Sequence, residues 1–440
     1  MTTALIAAVA LCPQQSVPDK VLARGLTDLG AYEMLYDLCT NVGSRLSGSP
    51  GAERAVEWTK ENMRRLGLQN VHEIPCMVPH WVRGSTERAA MVGVGQLSVC
   101  ALGGSVATPG GGIEAEVVEV RSLAEATALG ERAKGRIIFF NRSFEPTLRE
   151  TGAAYGGAVD QRTSGASVAA KVGALGVLVR SMTHAKDDVP HTGAVVYDGD
   201  FRVPAAALGL LSADTLSAAL RAGMVKVRLE LDCRWLPDAP SANVAGEITG
   251  SEYPDEVILV GGHLDSWDLG DGAHDDGAGI AQSLEALRII KALGLRPKRT
   301  IRAVAFMNEE NGLRGGRAYA EYAGKGPSRH IAAIESDAGG FMPREFSVTK
   351  EKLGRARAWE PMLRVFGIER FVEGGGGADI GPLAVHGAVL FGLRPDNQRY
   401  FDYHHSIKDT IDKVNPRELE FGAMALAVLA WLISEEGFGG

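Results

Sequence analysis

Cysteine is sparse in this chain: five residues among 440, Cys12, Cys39, Cys76, Cys100 and Cys233. They are scattered, odd in number and without CxxC spacing, which excludes a disulfide framework and a structural zinc knuckle. No dense Lys/Arg tract occurs, and a net charge of −8 argues against nucleic acid as a partner, because such binders need a basic face. No apolar run is long enough for a membrane span. The longest beyond the first residues, Ala423 to Ile433, falls short of the ~20 residues that a bilayer requires. The short apolar stretch Thr2–Leu11 lacks both the positive n-region and the small-residue cleavage site of a secretory leader. Bulky Leu11 also speaks against a lipid-modified Cys12. Residues 1–18 are read as a signal remnant or a disordered arm.

What the chain does have is ordinary globular material, 45% apolar and 23% charged, in a length that exceeds one usual core and so implies two domains. The stretch EVILVGGHLDSWDLGDGAHDDGAG, Glu256 to Gly279, organises the rest. Val257, Ile258, Leu259 and Val260 form an unbroken apolar run, as in a strand buried on both faces of a parallel sheet. Polar residues follow within three positions. Open α/β sheets bind ligands outside the carboxyl ends of their strands, so His263 and Asp265 fall where a site is expected. Asp268, Asp271, His274, Asp275 and Asp276 come next among glycines that permit tight bends, and a helix restarts near Gly277.

Around this stretch the pattern is α/β. Helical spacing runs from Asp19 to Leu68, with Gly67 ending a helix, and Val71–Val78 alternates as a strand. The glycine-rich run Gly103–Gly112 marks a shift in composition. EAEVVEV, GRIIFFN, the helix-like SGASVAAKVGALGVLVRS, VPAAALGLLSADTLSAAL and VKVRLEL then make a β-rich unit with two or three helices. LPDAPSA, residues 236–242, reads as the linker back. The expected layout is a main domain of residues 19–108 and 236–440 interrupted by an inserted domain of residues 109–235. Later strands end in acid: Glu309 and Glu310 after TIRAVAFMN, and Asp337 after HIAAIES. The last helix is signalled by Asn415 as N-cap, Pro416 at the first position and Glu418 three residues past the cap.

His263, Asp275, Glu310, Asp337 and His405 supply imidazole and carboxylate, the ligands of borderline divalent metals, and all lie at strand ends or in the loops that follow. One carboxylate bridging two ions, with a His and a further carboxylate on each, makes a two-metal site suited to peptide hydrolysis. A nearby unligated carboxylate then shuttles the proton to the leaving amine. Singly, any of these acids can be a helix N-cap and either histidine a surface residue. Together they point to a metal, since adjacent Glu309–Glu310 at the end of a buried strand is costly without a cation.

GGHLDSWDLGDGAHDDGAG, FMNEENGLRGG, ESDAGG, GGGGADIGPL and YFDYHHSIKDT resemble, in order and spacing, the motif series of the zinc aminopeptidase-like exopeptidases, and the likeness covers nearly all of residues 20–435. RTSGASVAAKVGALGVLVRSMTHAKDDVPHTGAVVY resembles their protease-associated insert. The resemblance implies a mixed, largely parallel sheet sandwiched by helices, carrying an inserted β-rich protease-associated domain. It implies two zinc ions, with His263 and Asp337 on one, Glu310 and His405 on the other and Asp275 as the bridge. Glu309 becomes the general acid/base. Asp265 would orient His263, Asp409 would do similar work for His405, and a cis peptide would join Asp275 to Asp276. His404 is the alternative ligand, disfavoured by the spacing to Asp409-Thr410. His274 stands where relatives carry an apolar residue and is expected to support the bridge from behind, with an extra ligand as the alternative. Asp402 replaces an aromatic. Asp379 and Asp402 are candidates for the substrate's α-amine, and Arg394, the inserted domain or a dimer partner for its carboxylate.

The expected activity is hydrolysis of short peptides, above all dipeptides with free termini. A broad aminopeptidase, a non-catalytic binding ectodomain and a single-zinc cyclase on the same scaffold are the alternatives. The complete ligand set with Glu309 argues against the ectodomain, and Asp275 against the cyclase. By the same resemblance the protein would be a secreted or periplasmic homodimer, while its weak leader leaves a cytoplasmic location open.

Overall fold

The computed structural model describes residues 16–438. The expected signal remnant or arm lies almost wholly outside them.

Two eight-stranded mixed sheets make up the molecule. In the first, the strand order is Gln69–Val82, Arg234–Ile248, Arg299–Phe306, Tyr253–His263, Arg329–Ser336, Val389–Pro395, Pro343–Val348, Arg370–Glu373. Its four central strands are mutually parallel. Tyr253–His263 lies between two parallel neighbours, which explains its apolar run: Ile258 and Val260 pack with one set of helices, Leu259 with the opposite face. The first face is covered by Ala278–Ala292 and Pro416–Glu436, the second by Arg314–Lys325. Pro416–Glu436 is buried along most of its length, which accounts for the apolar run Ala423–Ile433 as core. Asn415 caps it by accepting from the Arg417 and Glu418 backbone N–H groups. Among the described residues no helix is long and apolar enough to cross a membrane.

The second sheet runs Gly95–Leu97, Glu87–Met91, Lys226–Leu231, Ile113–Val120, Ile137–Phe140, Gly176–Arg180, Ala205–Leu208, Val99–Ala101, with its own core on each face. Three of its strands precede the glycine run, so this sheet reaches back to residue 87, ahead of the boundary expected at 109. Those strands are too short to show a period by themselves and are defined by their partners, Glu87–Met91 by Lys226–Leu231 and Val99–Ala101 by Ala205–Leu208.

Two further expectations are corrected. Residues 236–242 are not a linker but part of Arg234–Ile248, paired antiparallel with Gln69–Val82. Pro237 and Pro240 misled because proline is excluded from central strands; here they lie where Arg234–Ile248 has a ladder on one side, the second neighbour pairing from Val244 onward. The helix-like segment 164–181 is split at Gly173, at φ 77°, into helix Gly165–Lys171 and strand Gly176–Arg180.

Candidate metal centre

His263 is the last residue of its strand; Glu309 and Glu310 follow Arg299–Phe306, and Asp337 follows Arg329–Ser336. Three adjacent parallel strands thus deliver their terminal polar groups to one edge. Asp275 comes from the irregular turn Ala273–Gly277, which enters Ala278–Ala292 through a cis Asp275–Asp276 peptide. His405, at φ 59°, follows the short helix Tyr400–Tyr403.

These groups converge on Asp275. Its Oδ1 lies 3.2 Å from His263 Nε2 and its Oδ2 3.2 Å from His405 Nε2. His263 Nε2 is also 3.6 Å from Asp337 Oδ1, and His405 Nε2 is 3.0 Å from Glu310 Oε2. The groupings His263–Asp275–Glu310, His263–Asp276–Asp337 and Asp275–His404–His405 each keep their ligand atoms within 4.8 Å of one another. Asp275 Oδ2, although close to His405, is a buried acceptor without an aligned hydrogen-bond donor, as expected of a carboxylate oxygen built to meet a cation.

The electrostatics agree. Burial opposes charge on both histidines, yet Asp275 and Asp337 hold the His263 pKa well above its ordinary value, and Glu310 and Asp275 push His405 up to about 10. Burial would raise Asp275, but His263 and His405 draw its carboxyl well below the usual range. Burial lifts Glu310 to about 7 and Glu309 well above the usual carboxylate value. The buried carboxylates concentrate negative charge that favours a positive partner, and a divalent cation is the ordinary one.

The other expected residues are placed unequally. Asp265 orients His263 through its backbone oxygen, which accepts from Nδ1 at 2.9 Å; its carboxylate, 3.8 Å from that nitrogen, instead accepts the backbone N–H groups of Asn308 and Glu309 at 2.7 and 3.0 Å. Asp409 does not touch His405. It accepts from the backbone of His274 at 2.7 Å and Asp275 at 3.0 Å, fixing the turn that carries the central carboxylate. His274 is no ligand in this arrangement. It is stacked on Phe341 and Tyr403, its Nδ1 accepts from the Gly340 N–H at 3.1 Å, and burial lowers its pKa to about 4. An aromatic slot explains why an apolar residue can stand there. His404, stacked on His405, reaches Asp275 Oδ2 at 3.6 Å, farther than its neighbour.

Asp379 is fully buried with both carboxylate oxygens unpartnered and burial raising its pKa, so a substrate amine has no access to it. Asp402 is half-buried among Arg399, His184 and Lys408, outside the three metal groupings. Arg394 lines a cavity of about 900 Å³ that also exposes Asp337 and Glu335, with Arg149 and Ala153 of the second unit on its wall.

Several residues that hold the site were given no such role from the sequence. Arg45, fully buried, donates to the carbonyls of Leu264 at 2.5 Å, Asp271 at 2.6 Å and Gly272 at 2.8 Å, tying down the loop between His263 and Asp275. Trp267 N–H donates to Glu310 Oε1 at 3.2 Å. Asp276, visible as the second acid of an Asp-Asp pair, accepts from the His263 N–H at 3.0 Å and the Gly279 N–H at 2.9 Å.

The chain is similar to known proteins in sequence and fold. Peptidase family M28 matches residues 243–431. Carboxypeptidase Q of Bos taurus is 39% identical over 411 residues, 92% of this chain and 85% of that protein. The crystal structure of a peptidase M28 precursor from Shewanella amazonensis SB2B superposes with a TM-score of 0.90 at 34% identity, covering 96% of each chain. A zinc aminopeptidase from Bacillus subtilis, 19% identical with a TM-score of 0.66 over 91% of this chain and 94% of its own, shares the fold. Fold, site and relatives together define a metallo-exopeptidase. The chain belongs to peptidase family M28.

Proposed function

We propose that this peptidase works with two zinc ions bridged by Asp275, His263 and Asp337 holding one and Glu310 and His405 the other. The observation that carries the reading is the division of Asp275, one oxygen toward each histidine at the same 3.2 Å. Two imidazoles and three carboxylates are a ligand set that suits zinc. Bound zinc supplies Lewis acidity at the scissile carbonyl and activates the attacking water. Glu309, partly exposed beside the cluster and held by its backbone to Asp265, takes the proton from that water and passes it to the leaving amine.

The substrates are short peptides, dipeptides with free termini foremost. The cavity beside Asp337 presents Arg149, Arg344, Arg370 and Arg394. Arg370 is committed to Glu345 at 2.8 Å and Arg344 to Asp396 at 3.2 Å, whereas Arg394 is half-exposed and meets Glu345 at 3.8 Å, so it has donors free for a substrate carboxylate. Residues 109–235 are read as the protease-associated insert, with Arg149, Glu150, Gly152 and Ala153 forming one wall of that cavity. The test is a matched series: a dipeptide, its amide, its N-acetyl form and a pentapeptide. The dipeptide should be cleaved fastest and the N-acetyl form not at all. Equal rates on dipeptide and pentapeptide would establish a broad aminopeptidase, and preference for the N-acetyl form would remove amine recognition.

A further inference from the structure

His405 makes its outer contacts with the second unit. The Thr192 N–H donates to the His405 carbonyl at 2.8 Å, and His191 Nδ1 donates to the His404 carbonyl at 2.7 Å. The Thr192 carbonyl in turn lies 3.3 Å from His405 Nδ1. Arg162, itself 5% exposed, places Nη1 3.4 Å from that carbonyl and 3.2 Å from His405 Nδ1, its guanidinium lying over the Tyr155 ring. Gly193 completes the cradle. At φ 131° a side chain there is strained, and a Cβ would stand 2.3 Å from Arg162 Nη1 and 2.7 Å from His405 Nδ1. The segment is anchored in turn, since Thr192 Oγ1 donates to the Ala101 carbonyl at 2.9 Å and the His191 N–H to Ser181 Oγ at 2.9 Å.

We infer that His191–Gly193 and Arg162 are positioning residues for His405, so that the second unit is a working part of the metal centre and not an appendage to it. The inference rests on His405 being a zinc ligand through Nε2. A histidine bound that way carries its hydrogen on Nδ1 and needs an acceptor there, because the acceptor fixes tautomer and ring plane. Thr192 O is that acceptor. The Thr192 N–H pins the His405 carbonyl, so this one residue of the second unit grips His405 at both backbone and ring. Arg162, donor-only, cannot bond to an Nδ1 that carries its hydrogen, so in the zinc-bound tautomer it donates to the Thr192 carbonyl and holds that acceptor in line. A left-handed φ at His405, rare for a residue with a side chain, persists because this grip defines it.

The experiment is zinc titration of metal-free protein, with the visible absorption of the cobalt(II) form as a second readout, in Gly193→Ala, Arg162→Leu, Arg162→Lys and His405→Ala. Gly193→Ala and Arg162→Leu should weaken one of the two zinc equivalents about 10- to 100-fold, the range for lost outer contacts of a metal ligand, and shift the cobalt spectrum. In Arg162→Leu the other equivalent and the unfolding temperature of the metal-free protein should stay near the parent's. Arg162→Lys, which keeps a donor, should recover part of the affinity. Should Gly193→Ala not fold, the two Arg162 variants decide. Parent-like binding of both zinc ions with an unchanged cobalt spectrum in Arg162→Leu overturns the inference if His405→Ala loses one ion. If His405→Ala also binds both ions normally, the ligand assignment itself fails.

Discussion

His263 and His405 bring the same imidazole nitrogen to the same aspartate, each 3.2 Å from one oxygen of Asp275, but reach it by different routes. His263 ends a strand with parallel ladders on both sides, and its Nδ1 bonds to the Asp265 carbonyl two residues on. His405 sits in a loop at φ 59°, and the atoms around its Nδ1 belong to Thr192 and Arg162 in another sheet's unit. One imidazole is therefore placed by local structure, the other by long-range packing. Asp275 joins the halves, and its own turn is held by Asp409 from the His405 side and by Arg45 through the preceding loop.

The largest effect should follow from removing the joint. Asp275→Ala should lose both metal equivalents and with them activity down to background, measured by elemental analysis of the purified protein beside a dipeptide assay. Retention of two ions would mean the halves do not share this carboxylate. Next comes Glu309→Gln, which should keep both ions while kcat falls on the order of 10²–10⁴, the usual yield of general acid–base catalysis. Near-parental kcat in that variant would take Glu309 out of proton transfer.

The local half can be probed more gently. Asp265→Asn keeps both the backbone carbonyl that orients His263 and an oxygen for the Asn308 and Glu309 N–H groups, so metal content should hold and activity drop less than about tenfold. Asp265→Ala, which frees the Glu309 backbone, should cost about 10- to 100-fold in activity. Equal losses in the two would show that the carboxylate charge, rather than these contacts, matters.

The smallest effect lies outside both halves and concerns stability alone. His330 packs against Tyr319, and burial lowers its pKa from 6.5 to about 3. Below about pH 6.5 the unfolded chain takes up a proton that the folded chain refuses, so stability is lost as pH falls through that window. His330→Gln should therefore lose less stability than the parent between pH 7 and pH 4, read as the shift in urea midpoint, with peptidase activity at neutral pH unchanged. A parallel pair of midpoint curves would show that His330 is not buried neutral.

The contrast between the two histidines also marks how far the amino-acid order reaches. The mixed α/β class, the strand at Val257–Val260 and the cap at Asn415 were legible from backbone period and capping chemistry, and His263, Glu310 and Asp337 from positions at or just past a strand end; Asp275 and His405, in turns, were legible only as members of the motif series. What the chain could not specify locally was anything set by contact between distant segments. Residues 236–242 look like a linker until Gln69–Val82 pairs with them. Asp379 looks like an amine receptor until the fold buries it. His404 and His405 are neighbours of identical chemistry, and the fold sets them 3.6 Å and 3.2 Å from the same oxygen, with His405 also 3.0 Å from Glu310. Arg45 and Arg162 lie in no motif, since a guanidinium aimed at backbone carbonyls needs only space and acceptors, and these come from residues 219 to 227 positions away for Arg45 and 30 away for Arg162. The order of residues thus determined which groups arrive at the sheet edge, because period and strand polarity are local. Tertiary packing decided how Asp275 and His405 are aimed, because their aim depends on contacts between segments distant in the chain.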